Sequence, residues 1–326
     1  MKRDMFLGAI FKMGLVALVT LGSVAASAQT KASRLVVGNQ PGGATDIVAR
    51  LIAPKLGAAL GQTFIVENRA GASGNIAAEA VARAAPDGQT ILLVFNSHPM
   101  TSALFPKLSF DPIKDFTSIG LISESPYLIV ARPDIGADSF KSLIEQSKKS
   151  GKPLSMGSPG PATPQHLMME KLKKEEGVDV QVVHFKGTAP ALTDVMGGHV
   201  DLTLVTPSAA AAFVKAGKAK LLGVTSNARL PDFPSAPTVS EQGIKSLANS
   251  GVWLALLAPA KTPKAVIDRL NHALTEGLRT PEVTQELAKI GMTPMGGSPE
   301  DLDKKMKEEQ GIWPPLIREL NLAPGA

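Results

Sequence analysis

A chain of 326 residues, 44% of them apolar and 19% charged, is long enough to bury two cores. Its net charge of +5 includes Lys2, Arg3, Lys12 and Asp4 of the leader described next, and 5 − 3 + 1 leaves +3. So mild a charge, dispersed in mixed runs such as residues 171–176 with one Tyr and two Trp in the whole chain, argues against nucleic acid as partner. The absence of cysteine removes disulfides and thiol chemistry.

Met1-Lys2-Arg3, an apolar run from Met13 to Leu21 and then Ala26-Ser27-Ala28 follow the order of a secretory signal peptide over residues 1–28, with cleavage after Ala28. Lys12 shortens the apolar run below the roughly 20 residues of a permanent anchor. Without a cysteine for lipid attachment, the mature chain is expected free in a periplasm, with no direct membrane insertion.

Arg34 to Val37 reads as a strand, and Ile47, Val48, Leu51, Ile52, Leu56 and Leu60 recur at helical spacing. Between them lies Pro41-Gly42-Gly43-Ala44-Thr45-Asp46. Two glycines allow close backbone approach to a ligand, and Thr45 or Asp46 can cap the helix. Such a terminus presents free N–H groups and a positive dipole end, suited to a carboxylate or phosphate; a plain tight turn is the alternative. Pro54 is expected to kink or shorten this helix.

The theme of strand, glycine-containing loop and helix repeats. Phe64 to Val66 leads through a loop to Asn75 and a helix from Ile76 to about Ala84; Thr90 to Phe95 leads into Asn96-Ser97-His98. Tyr127 to Ala131 is a short apolar strand, after which the pattern restarts: a helix from about Ser139, a strand Leu154 to Met156, a loop to Thr163 and a helix from Pro164 with Thr163 as cap. Gln181 to Phe185, Lys186-Gly187-Thr188, a helix from about Ala189, and strands Val200 to Val205 and Lys220 to Thr225 complete this region. Trp253 to Leu257 is again strand-like, followed by helical patterns Lys264 to Arg279 and Pro281 to Ile290 and a tail from Pro299. Strands alternating with helices predict parallel sheets, with ligand beyond the carboxyl ends of strands. Two α/β lobes follow, residues 29–128 with 254–326 and residues 129–253, joined by crossings near Tyr127 to Ala131 and Trp253 to Leu257. The C-terminal helices are expected to return to the first lobe.

Chemistry is harder to find. No phosphate loop or dinucleotide fingerprint occurs. Gly71-Ala72-Ser73-Gly74-Asn75 departs from a nucleophile elbow, since Asn75 stands where the motif needs glycine. The five histidines have no metal-ligand spacing, so neither metal nor cofactor is implied.

Taken in order, Pro41 to Arg50, Val66 to Asn75, Ala85-Pro86-Asp87-Gly88 and Lys186 to Asp194 resemble the Bug family, the periplasmic solute-binding proteins of tripartite tricarboxylate transporters. Gly197 to Asp201, Leu257 to Ala260 with Thr262-Pro263, and Gly296 to Glu300 extend the resemblance over nearly the whole mature chain. It implies an α/β, two-lobed type II periplasmic binding protein fold (a Venus flytrap), each lobe a mainly parallel sheet flanked by helices, with two crossing strands. Such a protein closes on a small organic acid and presents it to membrane transporter subunits; a monomer and no catalysis are expected. The carried-over site residues are Gly42, Gly43, Thr45, Asp46, Asn96 and Ser97 in the first lobe, and Ser158, Thr163, Lys186, Gly187 and Thr188 in the second. Asp46 is expected to cap its helix, and Lys186 either meets ligand or faces solvent. Asn39-Gln40 makes the wall more polar than in many relatives, Thr188 replaces a common glycine, and Val205 falls where many carry an acid or amide. Val205 is therefore expected to line the second-lobe wall and to disfavour an amino group. A periplasmic sensing role and an exported hydrolase are the other functions weighed.

Overall fold

A computed structural model describes residues 32–322, so the signal peptide expected over residues 1–28 lies outside the described residues. The opening theme folds as read: β1 (Ser33–Val37), α1 (Ala44–Leu60), β2 (Phe64–Asn68), α2 (Asn75–Ala82) and β3 (Thr90–Phe95). β1 pairs in parallel with β2 and with β3. Helical spacing puts Val48, Ile52 and Leu56 of α1 onto Leu35, Ile91 and Leu93 of the sheet, where all are buried.

α3 (Thr101–Leu104) leads to β4 (Phe116–Pro126), a strand the sequence pattern did not suggest. With β10 (Gly251–Pro259) and β11 (Thr293–Gly296) it completes a six-stranded sheet of order β11-β4-β10-β3-β1-β2. The second sheet has order β7-β6-β8-β5-β9, built from β5 (Leu128–Ala131), β6 (Leu154–Ser158), β7 (Val180–His184), β8 (Leu202–Val205) and β9 (Lys220–Val224). Its helices are α4 (Phe140–Ser150), α5 (Pro164–Glu176), α6 (Thr188–Met196) and α7 (Pro207–Lys215).

Parallel neighbours are confined to β2-β1-β3 and β7-β6-β8, whereas β10 and β5 pair antiparallel on both sides. A strand that arrives from the other lobe starts at the carboxyl ends of the resident strands. It must therefore run against them, so the sheets are more mixed than expected.

The first crossing is Tyr127, between β4 and β5. The second lies at Ser250–Gly251 rather than within Trp253 to Leu257, all of which pairs in the first sheet. The crossings are tied together: Tyr127 N–H donates to Thr225 Oγ1 at 2.8 Å, Thr225 N–H donates to the Tyr127 carbonyl at 3.0 Å, and Thr225 Oγ1 donates to the Ser250 carbonyl.

Pro54 does not end α1, which continues to Leu60. The proline and Arg50, whose carbonyl loses a partner, are both exposed, so water can replace the missing bond while the opposite face stays packed. Pro54→Ala is expected to stabilise the fold by about 1–3 kcal/mol, read as a higher urea midpoint at unchanged slope; an unchanged midpoint would show that the helix carries no cost there.

After α8 (Lys264–Leu278) and α9 (Pro281–Lys289) comes α10 (Pro299–Glu319). The return to the first lobe is only part of what α10 does. Leu302 and Met306 pack with Phe116 and Leu121 of β4, whereas Ile317 joins Leu167 of α5 together with Met100 and Leu104. Lys174 of α5 pairs with Glu319 at 2.5 Å, so α10 straps both lobes.

Candidate functional site

Parallel pairing brings the carboxyl ends of β1, β2 and β3 to one edge. The loops there touch: a Cβ on Gly38 would lie 2.6 Å from Gly74 Cα, a closeness that requires glycine at position 38. Gly42 adopts φ +87° in the turn before α1. Gly43 is the N-cap and offers no side-chain acceptor. The intrahelical ladder begins with Ile47 N–H to the Gly43 carbonyl, which leaves the first-turn amides of residues 44–46 without helical partners beside the exposed stretch 41–44. Gly74 caps α2 and Gly187, at φ +117°, caps α6, again without side-chain acceptors.

Asp46 organises this corner. Its Oδ2 accepts from Gly42 N–H at 2.9 Å and Arg50 Nε at 3.0 Å, and its Oδ1 accepts from Asn68 Nδ2 at 2.9 Å. The Arg50 hydrogen bond is the largest influence on the carboxyl; with those from Gly42 and Asn68 it outweighs burial and holds the pKa at about 2. Asp46 therefore reaches back to the loop instead of capping α1, and at 3% exposure it is not open to ligand. Gly42 likewise contributes shape, since its N–H is committed.

On β3's exit, Asn96 donates from Nδ2 to the Gly251 carbonyl at 3.1 Å, and half-buried Ser97 lines a water-sized cavity of about 20 Å³ with Gly38, Ser73, Gly74 and Asn75. Asn75 Nδ2 is buried there with no partner among the described residues. Ala72 and Ser73 both hold positive φ, at 47° and 56°, so the Gly71 to Gly74 turn is strained where it meets the site. The sequence marked this turn as an imperfect nucleophile elbow and as part of a glycine-containing loop at the carboxyl end of a strand.

In the second lobe the hydroxyls serve their own loop. Ser158, fully buried, donates from Oγ to the Gly160 carbonyl at 2.9 Å. Thr163 caps α5, donating to the Gly160 carbonyl at 2.8 Å and accepting from His166 N–H at 3.4 Å. His166 Nδ1 accepts from Ala162 N–H at 3.0 Å; burial, then His184 beside it at 4.6 Å, lowers the ring's pKa to about 4, so it is neutral and structural at pH 7. Gly187 N–H donates to the Pro159 carbonyl at 3.0 Å, which joins this loop to Lys186-Gly187-Thr188. Lys186 faces solvent and Thr188 is half-buried.

Residues 48–322 match the model of the tripartite tricarboxylate transporter family receptor (TctC). The chain belongs to this receptor family. It is 30% identical to protein BugT of Bordetella pertussis over 288 residues, 88% of each chain. Among solved structures, MatC of Rhodopseudomonas palustris with bound malate is similar at 31% identity and TM-score 0.67, covering 89% of this chain and 99% of that one. An R. palustris protein with adipate is similar at 32% identity and TM-score 0.69, covering 90% and 99%.

The receptor's two loop sets share no hydrogen bond among the described residues; the lobes are tied at the crossings and by α10, and Met100 and Leu104 of the first lobe meet Leu167 of the second. One expected wall residue is elsewhere. Val205 is fully buried with Leu128, Leu192 and Ala210, because strand alternation turns its side chain into the sheet's helix-covered face. Buried there, Val205 faces no ligand and does not disfavour an amino group. Among the described residues no group of three or more His, Asp or Glu is placed to hold a metal, and no helix is long and apolar enough to cross a membrane.

Proposed function

We propose that the receptor is a periplasmic monomer that binds a small organic carboxylate between its lobes and delivers it to the membrane subunits of a tripartite transporter, without turnover. The observation that carries this reading is the set of glycine-capped helix termini, α1 and α2 in one lobe and α6 in the other, at strand ends where first-turn amides have no side-chain acceptor. The ligand's carboxylate is held by the amides of Gly43, Ala44 and Thr45, with Ser97 beside it, and by the Thr188 amide from the second lobe, where Gly187, its N–H committed to Pro159, shapes the loop. Asp46, Ser158 and Thr163 shape these loops, and Asn96 is the floor. The malate and adipate held by the two similar R. palustris proteins support the same ligand class here.

Calorimetry of the mature protein with malate, adipate, benzoate, inorganic phosphate and the amides of the same acids tests it. Saturable binding of at least one acid, with no response to its amide and no product formed, is the expected outcome. Binding of phosphate alone, or turnover of an ester or amide panel, would replace the reading. Binding together with retention of the protein by transporter membrane subunits separates transport from sensing.

A further inference from the structure

The strap helix meets both crossings at one residue. Glu309 Oε1 accepts from Trp253 Nε1 at 2.6 Å, and Trp253, 1% exposed, stands two residues beyond Gly251 in β10. Tyr127, which is itself the first crossing, is fully buried and within electrostatic reach: burial, then the Glu309 charge, push its phenol above the ordinary range. The cluster is incompletely paired. Glu309 Oε2 and the Tyr127 hydroxyl are both buried without a partner among the described residues. An oxygen sealed from water in this way is far costlier on an ionised carboxylate than on a neutral acid.

Space for water adjoins the cluster. A cavity of about 280 Å³ has Asn96, Ser250, Gly251, Lys305 and Glu309 among its lining residues. A water-sized one of about 20 Å³ lies where Ser125, Ser250, Gly251, Trp253 and Lys305 meet. The crossings pack closely beside it, since a Cβ on Gly251 would run into the Ser125 carbonyl.

Charges reach Glu309 from three elements. On α10, Lys305 favours ionisation and exposed Glu308 opposes it. β4 supplies Glu124, 3.8 Å from Lys305 Nζ, and α5 supplies Lys171 on the wall of the larger cavity, with Glu175 3.7 Å away. His98, in the turn before α3, is buried, neutral and turned to the Pro112 carbonyl at 2.9 Å. Burial outweighs the Trp253 bond and Lys305 and pushes the Glu309 carboxyl up to about 7.

We propose that Glu309 is a proton-operated latch on the crossings: as a neutral acid it keeps α10 seated against Trp253 and Tyr127, and on ionising it draws in water from the adjoining cavity, loosens the strap and frees the lobes to move relative to each other. This device goes beyond the carboxylate reading and does not depend on it. A loosened carboxyl meets water at its ordinary value of 4.5, whereas the seated one titrates at about 7, so the seated form binds its proton more tightly. Protection of the crossings is therefore full below pH 4.5, falls as pH rises from 4.5 through about 7, and is level above.

Hydrogen exchange of the ligand-free mature protein between pH 4.5 and pH 8.5, corrected for the intrinsic pH dependence of exchange, tests the latch. The reporters are the Tyr127 and Thr225 amides, whose hydrogen bonds tie the crossings. At least about a tenfold loss of protection between pH 5 and pH 8 is expected in the wild type, and none in Glu309→Gln, which keeps an acceptor for Trp253 and cannot ionise. Lys305→Met removes a charge that helps Glu309 ionise, so it should move the fall to higher pH. It gives an independent reading should Glu309→Gln fold poorly by circular dichroism. A residue that merely packed α10 in place would, when changed, lower protection alike at every pH. Flat protection in the wild type, equal falls in the wild type and Glu309→Gln, or an unmoved profile in Lys305→Met overturns the latch.

Discussion

Gly43→Val is expected to lose ligand affinity by more than about a hundredfold while the protein stays folded. The residue sits at φ −79° and ψ 167°, an extended conformation open to any L side chain, and an added Cβ would meet only the Gln40 carbonyl oxygen, at 3.8 Å. Stability should therefore change by no more than about 1 kcal/mol, the ordinary difference between glycine and a branched N-cap. The ligand is affected more. A branched side chain at the cap shields the amides of Gly43 and Ala44, and each charge-assisted hydrogen bond lost is worth roughly 1.5–3 kcal/mol, about ten- to a hundredfold in affinity. Gly43→Ala, smaller and unbranched, should retain measurable binding. Calorimetry on both variants with a ligand known to bind the wild type decides the matter: full-strength binding by Gly43→Val would mean that the α1 terminus does not seat the carboxylate.

Asp46→Ala should have the largest effect on the fold of the site. It strips the acceptor from Gly42 N–H, Arg50 Nε and Asn68 Nδ2 at once, and Asp46 is only 3% exposed. Leaving such donors unpaired costs about 2–3 kcal/mol and frees the turn that presents Gly43. Binding should weaken with stability, in contrast to Gly43→Val. The pH dependence has a definite sign. The carboxyl's pKa is lowered from 3.8 to about 2 in the folded state, so its contribution is fully present above the unfolded value and is lost as pH falls from 3.8 through about 2. Urea unfolding of the wild type between pH 2 and pH 6 should show that decline, and Asp46→Ala should lack this component. The same slope in both proteins would show that Asp46 is not the group responsible.

How far the chain could be read locally follows from where each residue's partners lie. α1, α5 with its Thr163 cap, and the glycine turns were legible because spacing, caps and turn residues act within a few positions. β4 was not, because it buries Ser118, Ser123 and Gly120 in the middle of a sheet. Those positions are tolerable only because Ser118 donates to Asp303 and Ser123 to Met292 Sδ, partners far along the chain. Val205 shows the complementary failure. Every residue of β8 is buried, with Leu202 and Leu204 facing one core and Val205 the other, so composition cannot tell which face looks where. Pro54 illustrates a local rule overruled by packing on the opposite helix face.

By itself the sequence determined the two-lobed α/β plan and the glycine-containing turns between strands and helices, since both are written in periodicity and in residues whose backbone freedom is intrinsic; that Gly43, and not Thr45 or Asp46, caps α1 came from the structure. Which polar groups remain available to a ligand was decided only by tertiary structure. Ser158 looks free in the sequence and is committed to the Gly160 carbonyl, and Asp46, read there as a cap of its helix, is committed to Gly42, Arg50 and Asn68, whereas Lys305, one charge among many in a helical tail, is brought by α10 to a cavity shared with Asn96. The physical reason is that a hydrogen bond satisfies a donor or acceptor wherever its partner lies in the chain, and for buried polar groups that partner is fixed by packing.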